Sequence, residues 1–161
     1  MWHDNLMEQL ELHVRRRTFN SLALGIASAL GTRADGKLDK RAQFVRDLSG
    51  GYEQQLVGVD LADVDLIFRN MRDPVLGTGF GVGASRAVDA AVDALRDAGR
   101  LGNHAIVTIA FPRKHWRLLE FKAAMTTARA QLDSGTGLQI YVLCADDRIE
   151  NGVVRVSVLT G

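Results

Sequence analysis

The chain has 161 residues, 47% of them hydrophobic and 24% charged, which suits one ordinary domain with its own core and excludes disorder. Its formal net charge of +1 provides no global field to draw it to nucleic acid or a membrane. No apolar run approaches the roughly 20 residues that a spanning helix needs.

Leu6, Leu10, Val14, Phe19, Leu22, Ile26 and Leu30 recur at three to five residues and predict a first amphipathic helix, closed by Gly31. A competing reading starts from Arg15, Arg16, Arg17, Thr18 and Phe19. They precede an apolar run and Ala27-Ser28-Ala29, the form of a twin-arginine export signal. Asp4, Glu8 and Glu11 do not suit such a leader, so the helix is the expectation. A turn at TRADGK, with Gly36 free to take positive φ, leads to a second helix over 38–48. Its inner face is Leu38, Phe44, Val45 and Leu48, and Gly50-Gly51 ends it. A third helix starts near Ala62, turns Val64, Ile67, Phe68 and Met71 inward, and stops before Pro74.

From Val75 the pattern changes. VLGTGF (75–80) predicts a short strand and 85–98 a helix capped by Gly99. In that helix Ala87, Val88, Ala91, Leu95 and Ala98 face inward; Arg86, Asp89, Asp93, Arg96 and Asp97 face out. HAIVTIAF (104–111) and LQIYVLCA (138–145) read as strands covered on both faces, separated by a helix over 116–132 and a turn at 134–137. VVRVSVL (153–159) alternates, with Val154, Val156 and Val158 on one side, and Asn151-Gly152 before it predicts a hairpin. The fold expected is α/β (α+β): a small, mixed, mostly parallel four-stranded sheet with an antiparallel edge and packed helices. The N-terminal helices form an added layer on it.

Four glycines, Gly77, Gly79, Gly81 and Gly83, stand directly before the 85–98 helix, as in phosphate-binding loops. Their spacing is not G-x-G-x-x-G, and Gly83-Ala84-Ser85 lacks the lysine of a Walker loop. The expectation is a structural turn that lets a strand pass close to a helix, with no cofactor. His3, His13, His104 and His115 have no zinc-binding spacing, so no metal is expected. Cys144, the single cysteine, excludes an internal disulfide and suits a reducing, cytoplasmic setting. In mid-strand it reads as a buried small hydrophobe. Arg113, Lys114, His115 and Arg117 make a basic patch beside Trp116, able to meet an anionic partner and more ordinary as the solvated start of a helix. No nucleophile motif is present, so catalysis by this chain alone is not expected.

Asp60, Asp63 and Asp65 in GVDLADVDL lie at a helix entrance, where N-caps and first-turn carboxylates belong. Two carboxylates presented there could also orient a water or hold a cation in a partner's site.

VDLADVDLIFRNM followed by VLGTGFGVGASRAVDAAVDAL resembles the C-terminal domain of the FtsZ/tubulin superfamily, closer to FtsZ. FtsZ carries an N-x-D-x-A-D-V loop into a helix, then a strand ending in G-x-G and a D-R-A-x-x-A-A helix. The likeness continues through AIVTIAF, the helix around 118–128, LQIYVLCA, and VVRVSVLTG, which is close to a V-x-V-x-A-T-G ending. It spans about residues 56–161 as a C-terminal-like domain, with 1–55 as a helical extension too short to hold the GTP-binding domain. The helix of residues 6–30 stands where the family has its long central helix, and 31–55 have no counterpart. The FtsZ tail that recruits membrane adaptors is expected to be lacking.

The resemblance implies that the glycines at 77–83 match a structural turn, not the family's phosphate loop. It also implies that Asp60 and Asp63 match the two aspartates of the FtsZ loop that enters the nucleotide pocket of the next subunit and helps activate water on GTP. Gly58 stands where the family has asparagine. The expected function is therefore non-catalytic: contact with an FtsZ-type protein or with a second copy, capping or modulating filaments, in the cytoplasm, with no nucleic acid or membrane. Self-assembly as a structural module, and ligand binding at the 77–83 turn, are the alternatives.

Overall fold

A computed structural model describes residues 21, 24–26, 40–49, 59–132 and 137–161. Most of the expected helix over 6–30, the turn after it, Gly50-Gly51, Gly58, residues 15–19, His3 and His13 lie outside the described residues. Residues 24–26 are helical. The described elements are α1 (Lys40–Ser49), α2 (Leu61–Asn70), β1 (Val75–Gly81), α3 (Arg86–Ala98), β2 (Ala105–Phe111), α4 (Leu118–Leu132), β3 (Gln139–Ala145) and β4 (Val154–Thr160). A short 3-10 turn, Arg113–His115, precedes α4.

The sheet is sandwiched between two helical layers. Alternate residues of β2 point to opposite faces, as strand geometry requires. Ala105, Val107, Ile109 and Phe111 join Val154, Val156 and Val158 under α3 and α4, against Ala87, Ala91, Phe121, Ala124 and Leu132. Ile106 and Ala110 join Val142, Cys144 and Leu159 on the other face, against Ile26, Phe44 and Leu48 and against Val64 and Ile67 of α2. The α1 helix is thus part of the domain's second layer. All seven residues of β2 and all seven of β4 are buried, and that burial drives the assembly.

Strand order is β1-β4-β2-β3. β1, β2 and β3 run one way and β4 the other; the sheet is mixed as expected, but two of its three strand pairs are antiparallel and not mostly parallel. The expected antiparallel edge is corrected: β4 lies inside the sheet, antiparallel to both β1 and β2, and only β2–β3 is a parallel pair. No β3–β4 hairpin forms, because β2 separates the two strands. Asn151-Gly152 still turns the chain, with Gly152 at φ 88°. The loop instead crosses the end of β2, where the Asp146 amide donates to the Phe111 carbonyl at 2.9 Å. A strand buried along its whole length is better satisfied with a ladder on each edge than at the rim.

β4 also departs from simple alternation. On its face opposite the valines, Arg155 and Ser157 are buried too, with Arg155 held by Asp47 of α1. Arg86, expected on the outer face of α3, is buried as well. Its Nε and Nη2 grip Glu120 at 2.7 and 2.8 Å, and Nη2 also donates to the His115 carbonyl at 3.0 Å.

Arg86 holds the Glu120 carboxyl below its ordinary range, first through these hydrogen bonds and then through its charge, against the opposing effect of burial. A lowered folded-state pKa means the pair's stabilisation is complete above the unfolded carboxylate pKa of about 4.3. It is lost as pH falls through the folded value. Glu120→Gln is expected to cost about 1–2 kcal/mol at neutral pH, discounted for partial exposure. In urea melts the gap between variant and parent should close as pH falls from about 6 to about 3.

Candidate functional site

Asp60 caps α2. Its backbone is extended, at φ −74° and ψ 120°, and its carboxylate accepts the Ala62 amide at 2.9 Å. Its carbonyl accepts the amides of Asp63 and Val64 at 3.1 and 3.2 Å, which closes the first turn. Asp63 lies in that turn, and both aspartates are exposed. Their placement follows from the helix period. Val64 and Ile67 are buried, which turns Ala62, Asp63, Leu66, Arg69 and Asn70 outward. Leu66 is 52% exposed, an apolar side chain on the same outward surface as Asp63. Asp65 is set apart by an ion pair with Arg69 at 2.8 Å.

The structure therefore brings Asp60 and Asp63 together at one helix entrance, anchored from behind by the core. Two exposed carboxylates beside an open helix N-terminus can accept protons, orient a water or share a cation with a docked surface. Gly58 lies outside the described residues.

At the other end of α2, Met71 to Pro74 lead into β1, with Asp73 in the left-handed region at φ 47°. Arg100 donates to the carbonyls of Arg72 and Asp73 across this turn.

The glycine run has a different setting. Gly77, Gly79 and Gly81 face α3, and a Cβ on any of them would overlap helix backbone: the carbonyl oxygens of Ala94, Ala90 and Arg86 respectively. Small residues on α3, among them Ala90 and Ala94, complete the close approach. Gly83 is at φ 79° with open space around it, so conformation and not crowding accounts for its lack of a side chain. The outward-facing amide of Thr78 is taken by Asp97 at 2.8 Å, which guards part of the free edge of β1.

The most tightly built polar cluster was not among the residues singled out from sequence. Arg155 of β4 grips both carboxylate oxygens of Asp47 from α1 at 2.8 and 2.9 Å and reaches Asp146 at 3.0 Å. Gln43 and the Thr108 hydroxyl both donate to Asp47, at 3.0 and 3.3 Å. Arg148 folds back onto Asp146 at 2.8 and 2.9 Å. Burial pushes the Asp47 carboxyl above its ordinary range, while Arg155 and the Gln43 amide pull it back. Cys144 lies alongside, its thiol pushed well up by burial and by the Asp47 charge, and it donates to the Asp47 carbonyl at 3.4 Å. A thiol held protonated in this way is unreactive. The cluster's centre, Arg155, Asp47 and Asp146, is buried and ties α1 to the sheet, while Arg148 covers it from the surface. A charged residue in mid-strand among valines was the one sequence signal for it.

His104 is half-buried and accepts the Leu138 amide at Nδ1, 3.1 Å away. His115 is exposed in the 3-10 turn. Among the described residues no group of three or more His, Cys, Asp or Glu could hold a metal, and no helix is long and apolar enough to cross a membrane.

The chain has the fold of an FtsZ-like C-terminal domain. A mutant FtsZ from M. jannaschii is similar at TM-score 0.61 and 24% identity over 75% of this chain. An empty FtsZ dimer from M. jannaschii is similar at TM-score 0.60, also at 24% identity over 75% of this chain. The chain spans only 39% and 37% of those two chains. No protein-family model matches it, and no curated protein matches it in sequence.

Proposed function

We propose that the chain acts by protein contact, with no catalysis of its own, and docks the α2 entrance onto the nucleotide end of an FtsZ-type subunit in the cytoplasm. One observation carries this reading: Asp60 and Asp63 are both exposed at the entrance of a core-anchored helix, beside the exposed Leu66. In the resembling FtsZ loop the matching aspartates enter the next subunit's nucleotide pocket. Docking there either caps a filament or supplies carboxylates to hydrolysis. Self-association is the second reading, and one of the similar structures is an FtsZ dimer. Ligand binding at the 77–83 turn loses its support, because α3 backbone already fills the space that three of its glycines leave.

Titrating the chain into an FtsZ from the same cell is expected to change GTP turnover and pelleted polymer severalfold. Asp60→Ala and Asp63→Ala should each remove most of the effect. Because Asp60→Ala also costs about 1 kcal/mol of capping, Asp60→Asn, which caps but carries no charge, separates the two causes. Unchanged turnover at excess chain would exclude the contact.

A further inference from the structure

Residues 113–119, PRKHWRLLE less its ends, are all exposed. Their backbone is nevertheless pinned. Pro112 is buried and accepts the His115 amide at 2.9 Å; Asp147 accepts the Arg113 amide at 3.0 Å; and Arg86 holds the His115 carbonyl at 3.0 Å. The loop is therefore a fixed projection with its side chains turned out. Apart from His115, those side chains are of two kinds. Trp116, Leu118 and Leu119 are 38%, 53% and 79% exposed. Leu118 and Leu119 open α4 but miss its buried stripe of Phe121, Ala124, Ala128 and Leu132. Interleaved with them are the cations Arg113, Lys114 and Arg117. Asp147 offsets Arg113 in part, and Glu120 is already committed to Arg86.

We propose that this loop docks on an anionic phospholipid bilayer, with Trp116, Leu118 and Leu119 entering the interface and Lys114, Arg113 and Arg117 meeting the headgroups. An interfacial indole, exposed leucines and a ring of bases are the combination that a membrane surface selects. Membrane-surface binding grows with the apolar area inserted and with attraction to anionic lipid, and this loop presents both an apolar and a cationic set. The net charge of +1 conceals this, since the bases are concentrated locally.

The test is co-sedimentation of the full chain with vesicles of phosphatidylglycerol and phosphatidylcholine at about 0.1 M salt, against phosphatidylcholine alone. Expected are at least tenfold stronger binding to the anionic vesicles and a fivefold or greater loss in Leu118→Ser/Leu119→Ser. Lys114→Glu/Arg117→Glu should lose as much, and both variants should keep the parent's melting temperature because the altered residues are exposed. In a Trp2→Phe background, Trp116 emission should shift to the blue on anionic vesicles alone. No binding to anionic vesicles, or binding that the leucine variant retains, would overturn the proposal. So would capture by RNA or an acidic protein without vesicle binding, which would make the loop a polyanion site.

Discussion

Gly79→Ala is expected to remove about 3 kcal/mol or more of folding stability, a large share of the about 5–15 kcal/mol that a domain usually has. The new methyl group would overlap the Ala90 carbonyl oxygen and the Ala94 amide and would lie 2.8 Å from the Asp93 Cβ. Two of those three neighbours are helix backbone, which no rotamer change can relieve. Relief would require α3 to lift from β1, opening the layer that holds Ala87, Ala91 and Leu95. Gly83→Ala is the matched control: it meets no atom within 4 Å and carries only the strain of φ 79°, about 1–2 kcal/mol. Urea melts of both variants test the packing account. Equal, small losses would show that the strand and helix are not in backbone contact.

Asp47→Ala is expected to cost about 3–5 kcal/mol, since it strands Arg155 as a buried cation with only Asp146 left. Arg155 is poorly placed to absorb that loss, because its Nε is buried without a partner among the described residues. Removing both charges should be milder than removing one. Asp47→Leu/Arg155→Met is expected to recover at least half of the single-variant loss, as apolar replacements of buried ion pairs do elsewhere. The measurement is a double-variant cycle in urea with constant m-value. Additive losses would mean that the two side chains do not depend on each other.

Much of the element sequence is legible in the chain because each segment carries its own signal. Gly99 stops α3 at φ 74°, Pro74 follows the end of α2, and the short, β-branched apolar run 105–111 reads as a buried strand. Strand order is not legible in the same way. Asn151-Gly152 is a sound turn signal, but a turn says nothing of which neighbour the next strand takes. That choice depends on where α4 returns β3 and on the need of fully buried β4 for a ladder on both edges. The buried cluster was out of reach for a related reason. Asp47 and Arg155 are 108 residues apart, and nothing local to either names the other. Asp60 was readable as a cap from its position alone, whereas the exposure of Leu66 beside Asp63 emerged only once the packing of α2 was known.

The central claim is that the α2 entrance is a contact surface for an FtsZ-type subunit. The most direct measurement is equilibrium binding of this chain to nucleotide-loaded FtsZ kept below its assembly concentration. Saturable binding that weakens at least tenfold in Asp60→Asn and in Asp63→Asn is the predicted result. No binding at excess chain, or affinity that both variants retain, would contradict it.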